Sequence, residues 1–340
     1  MKVLETNKIG ELAAALSAAG WRVLLPIEDG DVVRLAPWSP GAAVRTDVLP
    51  VNSLKDALFP PSEVIGRFGL EGNDFTVQEA PVDSARTVAL CVRACDTAAL
   101  SLLDTIFNWD FPDAFYNARR SAVTIVSLVC TSADEQCFCT SVGGRPDSTV
   151  GADAVLRPAE AGAKLIFEPL TDKGQALVSA AGALFANVAE ATVAADKPVE
   201  VPQLFDRPAV TKWLGANFDS PLWRDWSLAC LGCGACAFAC PTCHCFDIQD
   251  ETTRSQCVRY RNWDACALSL FTQHAGGHNP RADQAARRRQ RLMHKLSYIP
   301  ERFALVGCVG CGRCERICQA GLGIVEICQA IEEIQKVPAR

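Results

Sequence analysis

The sequence predicts an α/β or α+β domain over residues 1–200, followed by a mainly α-helical, cysteine-rich domain over residues 201–340. Three observations predict it. Hydrophobic runs of strand and helix period alternate through the first two hundred residues. A segment bearing Pro198, Pro202 and Pro208, "VAADKPVEVPQLFDRPAV", then interrupts them, and proline fixes φ and removes a backbone donor. Beyond it, thirteen of the eighteen cysteines fall between residues 230 and 328, against five in the first 200.

Taken in order, "IGELAAALSAAG" has the apolar spacing of an amphipathic helix that stops at Gly20. "RVLLPI", "VVRLAPW", "TVALCVRAC" and "AVTIVSLVC" are short, β-branched runs bounded by turn residues, hence strands. "KGQALVSAAGALFANVAEA" returns to helix, and "GIVEICQAIEEIQKV" closes the chain as a second amphipathic helix.

Composition narrows the function. A net charge of −6 does not suit a chain built to neutralise phosphates. The opening "MKVLETNKIGELAAALSAAG" carries glutamates within its apolar residues and does not read as a signal peptide. No stretch approaches the roughly 18 apolar residues of a spanning helix. A cytoplasmic location is expected, and in a reducing compartment dense cysteines serve as metal ligands more often than as disulfides.

The cysteines fall in two blocks of one pattern. "CLGCGACAFAC" places Cys230, Cys233, Cys236 and Cys240 at C-x2-C-x2-C-x3-C, and "CVGCGRCERIC" repeats it at Cys308, Cys311, Cys314 and Cys318. Gly232 and Gly234 recur as Gly310 and Gly312. Three thiolates at i, i+3 and i+6 wrap one face of an iron–sulfur cube, and glycines let the backbone approach its sulfides. The fourth cysteine points away and, in two-cluster proteins, ligates the other cube. The pattern therefore predicts a two-cluster ferredoxin-type domain with two 4Fe-4S clusters. One takes Cys230, Cys233, Cys236 and Cys318; the other takes Cys308, Cys311, Cys314 and Cys240. Structural zinc prefers two separated cysteine pairs, and a thioredoxin-like motif is a single C-x-x-C, so both fit poorly. Gln319 stands where the usual motif has a proline, which predicts a looser turn after Cys318.

"CPTCHCFDIQDE", "RNWDACALSLFTQHAGGHNPR", "RRRQRLMHKLSY" and "CVGCGRC" together resemble the β subunit of soluble cytoplasmic nickel–iron hydrogenases of the sulfhydrogenase type, relatives of the anaerobic sulfite reductase A subunit. "VRACDTAAL", "DAFYNARRSAV" and "CFCTSVGGRPD" extend the resemblance to the N-terminal half, with Ala94 where the family usually has proline. The resemblance implies a non-catalytic subunit passing single electrons between a flavin subunit that uses NAD(P)H and the catalytic nickel–iron hydrogenase subunits. The same role in an anaerobic sulfite reductase is the first alternative. A self-sufficient enzyme with a catalytic cluster at the C-x-C site described next is the second.

Smaller motifs remain. In Cys137-Phe138-Cys139, residues i and i+2 of an extended segment project to one face. Cys130 closes one predicted strand and Cys95 another, and strand ends in α/β folds gather at one edge. Cys95, Cys130, Cys137 and Cys139 are thus expected to hold a third iron–sulfur cluster, against the plainer reading of buried, inert thiols. Cys243, His244 and Cys245 are expected to pack beside a cluster. Cys91, Cys257, Cys266 and Cys328 read as core residues. His274 and His278 stand at i, i+4, but Gly276 and Gly277 between them argue against a metal-binding helix. From Arg281 to Lys295 the six Lys/Arg and one Asp read as a solvated helix, or else as a docking face for an acidic partner. No nucleotide loop, triad or carboxylate pair stands out, so no nucleic-acid or membrane partner is expected and catalysis is left to other subunits.

Overall fold

The predicted strand runs bury every residue where the chain passes through the middle of a sheet. In the computed structural model, which describes residues 1–72, 74–189 and 192–336, β6 (Thr87–Arg93) and β7 (Val123–Leu128) are buried along their whole length. Burial on both faces explains their continuous β-branched sequences. The chain divides into two units. The first comprises Met1–Lys55, Ser84–Leu204 and Cys308–Gly312; the second comprises Asp56–Asp83, Phe205–Gly307 and the chain from Arg313 onward.

The first unit is sheet-rich. Numbering strands along the chain, β1 (Lys2–Glu5), β2 (Arg22–Asp29), β3 (Val32–Pro37), β6, β7, β8 (Ala154–Ala159), β9 (Lys164–Pro169) and β10 (Ala186–Asn187) form one eight-stranded sheet. Its order is β10-β1-β9-β8-β7-β6-β2-β3, with β2, β6, β7 and β8 parallel and the outer pairings antiparallel. A parallel step needs a crossover. Helices Ala94–Ile106 and Ala114–Ala122 supply it between β6 and β7. Helices Ile9–Ala18 and Asp172–Ala181 pack on the sheet through Leu12, Leu16, Leu177 and Val178, against Leu25, Leu90 and Leu156. The helix expected from Lys173 stops at Ala181 and continues as a 3-10 turn and β10; its last two residues, Glu190 and Ala191, lie outside the described residues. Within β6 the ladder with β7 shifts register between Ala89 and Val92, and Cys91 adopts φ 59° there. A bulge at this point re-aims the end of the strand.

The second unit holds the predicted C-terminal helices, including Arg207–Ala216, Gln284–Met293 and Ile324–Lys336. Val337, the end of the predicted last helix, lies outside the described residues. This unit is less purely helical than expected. β11 (Phe246–Thr252) and β12 (Gln256–Trp263) pair antiparallel, and β12 pairs with β4 (Ser62–Glu71), which pairs with β5 (Asp74–Glu79). Every residue of β11 is exposed, so the strand has no buried face to write an alternating pattern into its sequence.

One buried ion pair ties β12 to β4. Arg261 Nε donates to Glu63 Oε1 at 2.8 Å, with the two side chains 5% and 4% exposed, and the guanidinium lies 5.1 Å from the Phe59 ring centroid. Removing one member of such a pair strands a buried charge. Glu63→Ala is expected to cost about 3–5 kcal/mol in chemical denaturation. Making Arg261→Met and Glu63→Leu together should restore most of that loss, because an apolar pair leaves no charge stranded.

Candidate metal centres

Both cysteine blocks fold through the same backbone states. Gly232 and Gly234 have φ of 67° and 75°, and Gly310 and Gly312 have φ of 63° and 72°. A left-handed state repeated at equivalent positions explains why both positions are glycine. Each block then enters one helical turn, Ala235–Phe238 bearing Cys236 and Arg313–Ile317 bearing Cys314, and these two turns pack on each other. Cys230, Cys233, Cys236, Cys240, Cys314 and Cys318 belong to the second unit, and Cys308 and Cys311 to the first. Backbone N–H groups reach sulfur where the loops tighten: Gly310 donates to Cys308 Sγ at 3.4 Å, and Leu322 to Cys318 Sγ at 3.2 Å.

The basic run is not a solvated face. Asp283 caps helix Gln284–Met293 by accepting from the Ala286 N–H at 2.7 Å, and the helix continues through a π-helical turn at His294–Tyr298. Arg287, Arg288, Arg291 and Lys295 are all buried, the last only 3% exposed. Their donors run to sulfur and carbonyl oxygen. Lys295 Nζ donates to Cys240 Sγ at 3.2 Å, Thr242 Oγ1 at 2.9 Å and Gly307 O at 2.8 Å. Arg291 donates to Cys236 O at 3.0 Å and Cys243 Sγ at 3.6 Å. Arg287 holds Gln284 Oε1 at 2.8 Å, and Gln284 Nε2 donates to Cys230 Sγ at 3.1 Å. The Nε atoms of Arg287 and Arg288 are buried with no hydrogen-bond partner.

Buried cations require nearby negative charge. Desolvation opposes the Arg291 charge, yet the thiols of Cys236, Cys243, Cys314 and Cys240 together hold its pKa well above the usual value. The Cys243 thiol donates to Cys240 and, with Lys295 and Arg291 nearby, holds the Cys240 thiol well below its usual range despite burial. A cationic lining beside cysteine sulfurs suits an anionic iron–sulfur cluster. The sequence signal for these residues was their spacing: Arg287, Arg291 and Lys295 stand at i, i+4 and i+8, beside the apolar stripe of Leu292, Leu296 and Ile299. Density of charge alone pointed the other way.

Cys245 donates to Cys266, pulling that thiol below its usual range, and the His244 ring lies 5.6 Å from that of His294. Cys91, Cys266 and Cys328 are buried, whereas Cys257 sits half-buried on β12. His274 and His278 lie on an exposed turn closed by the His274 N–H to His278 O bond of 2.8 Å.

In the first unit, Cys95 is the second residue of the helix after β6, Cys130 lies just past β7, and Cys137 and Cys139 lie on the loop beyond. All four line one cavity of about 320 Å³ at the C-terminal edge of the parallel strands, and Cys311 lines it too. The C-x-C segment is not extended as expected. Cys139 begins a 3-10 turn, and Phe138 is fully buried. Burial, then the nearby Cys130 and Cys137 thiols, pushes the Cys139 thiol up to about 11. Among the described residues no three His, Cys, Asp or Glu side chains converge to hold a single ion.

Residues 229–322 match the family model for a 4Fe-4S dicluster domain. The chain carries two 4Fe-4S clusters. The dicluster domain does not account for the whole likeness. The chain is also similar to the sulfhydrogenase 2 subunit beta of Pyrococcus furiosus, 29% identical over 288 residues, covering 81% of this chain and 84% of that one. No solved structure matches. No described helix is long and apolar enough to cross a membrane.

Two outcomes follow for the dicluster domain. Lys295→Met removes a buried cation beside Cys240, and should lower a cluster midpoint potential by on the order of 59 mV, one tenfold change in a one-electron equilibrium. Potentiometric titration followed by electron paramagnetic resonance reads it. Stripping the iron with a chelator leaves Arg287, Arg288, Arg291 and Lys295 without their anion, so the apo chain should melt well below the loaded chain in calorimetry.

Proposed function

We propose that this chain is the iron–sulfur electron-transfer subunit of a hydrogenase-type complex, relaying single electrons between a flavin subunit that uses NAD(P)H and a catalytic nickel–iron subunit. The observation that carries the reading is the doubled cysteine block with its repeated glycine backbone, set against buried arginines and a lysine. The similarity to a sulfhydrogenase β subunit over most of both chains favours a hydrogenase over a sulfite reductase partner.

Cys230, Cys233, Cys236 and Cys318 would hold one cluster, and Cys308, Cys311, Cys314 and Cys240 the other, following the crossed ligand pattern of two-cluster ferredoxins. When bound, the clusters supply one-electron oxidation and reduction without bonds to substrate. The chain's own residues set the conditions for that exchange. Gln284 orients an N–H toward the Cys230 sulfur, while Lys295 and Arg291 place positive charge beside Cys240 and Cys236, which favours the more negative reduced state. Cys233 is exposed, so the first block offers a thiolate close to solvent. Beside it, Leu231 is 72% exposed and lines a groove together with the equally exposed Leu270. Exposed apolar surface of this kind marks protein–protein contact, here with an electron-exchanging partner subunit.

Anaerobic affinity purification from native cells, with metal and cofactor measurement on the complex, tests the reading. Nickel, flavin and abundant iron are expected. Sirohaem with iron and no nickel would transfer the chain to a sulfite reductase. In the same purification Leu231→Glu with Leu270→Glu should lower partner recovery about tenfold, on the order of 1.4 kcal/mol, without changing the iron bound per chain.

A further inference from the structure

We infer that the first unit holds a third iron–sulfur centre, ligated by Cys95, Cys130, Cys137 and Cys139, in electronic contact with the loop that carries Cys311. This goes beyond the dicluster reading and does not depend on the identity of any partner.

The four thiols come from three separate places in the chain and meet around one cavity. Two of the places are set by the sheet: Cys95 lies two residues past the end of β6, and Cys130 two residues past the end of β7. The third is the C-x-C loop. Thr140 Oγ1 donates to Val201 O at 3.1 Å, and the Val199 N–H donates to Cys130 O at 2.9 Å, so the proline-bearing segment closes over the site. Val199 and Val201 join the cavity wall.

The size of the cavity suits a cluster. Zinc on four thiolates would draw all four sulfurs to one point, with Zn–S near 2.3 Å. Here the cavity that the four thiols line has a volume of about 320 Å³. That is many times the roughly 30 Å³ of a water molecule. An iron–sulfur core fills such a space because each thiolate takes a different iron. Charged side chains of both signs line the wall. Buried Arg93 lines the cavity, with one guanidinium nitrogen 2.6 Å from Thr46 O. Asp47 also lines it but is held by Arg45 at 2.8 Å; Asp134 lies 3.4 Å from the Cys137 sulfur, and Arg145 stands at the rim.

The approach of the Cys308–Gly312 loop supplies the electronic contact. The Phe138 N–H donates to Gly310 O at 2.9 Å. A Cβ added at Gly310 would stand 2.5 Å from the Cys139 N and Cα. Backbone therefore touches backbone at this point, and only glycine permits it. Cys311, one residue on, lines the same cavity as the four thiols. A one-electron exchange between this centre and the cluster bound by Cys311 oxidises one and reduces the other, with no atom transferred.

The test uses the full chain, purified and reconstituted without oxygen. Iron and acid-labile sulfide should reach about twelve of each per chain rather than about eight. Cys130→Ser with Cys137→Ser should lose about a third of the iron while the spectroscopic signals of the dicluster domain persist. About eight irons in the fully loaded native chain, or one stoichiometric zinc in place of the third centre, would overturn the proposal. Should the double variant fail to fold, the count on the native chain with its Mössbauer spectrum decides the matter alone.

Discussion

Positive charge buried beside cysteine sulfur is the constraint around which the second unit is organised. Lys295 and Arg291 are removed from water, and their donors end on Cys240, on Cys243 and on carbonyl oxygens. Isolated cations do not survive such burial; the penalty of leaving water is several kcal/mol for each ion. Anionic clusters supply the counter-charge. The same pairing stabilises the fold and sets the electronic character of the metal centres, since a cation at the sulfur favours the reduced state. Helix spacing of four residues brings Arg291 and Lys295 to one face, and a π-helical turn begins there at His294.

Glycine is the second condition. Loops that wrap a metal cluster must turn sharply and bring backbone close to sulfur, and the paired positive φ values in the two blocks meet both needs. At Gly310 the same property has another consequence. Absence of a side chain allows the second block's loop to lie directly on the C-x-C segment, so one residue serves both a turn and a close approach.

The proposed relay and the proposed third centre share one logic. Electron carriers work without a substrate pocket; they need metal centres held rigidly, with surfaces where partners attach. Rigidity comes from the sheet in the first unit, whose buried β6 and β7 end two residues before Cys95 and Cys130. In the second unit it comes from short helical turns packed on each other and from side chains such as Gln284 that fix individual sulfurs.

By itself the sequence determined the dicluster domain, because cysteine spacing and intervening glycines are local properties that a ligand set writes directly into the chain. It also determined most strands of the first unit, since β2, β6 and β7 bury apolar side chains in recognisable runs. Tertiary structure alone decided three other matters. Whether Arg287, Arg291 and Lys295 face water or sulfur depends on what packs against their helix, and a run of charge carries no record of that. Strand β11 was hidden for the opposite reason, because a strand exposed on both faces leaves no periodic trace. Cys95, Cys130, Cys137 and Cys139 meet at one cavity only because sheet order brings the ends of β6 and β7 side by side, a long-range pairing that no local spacing encodes.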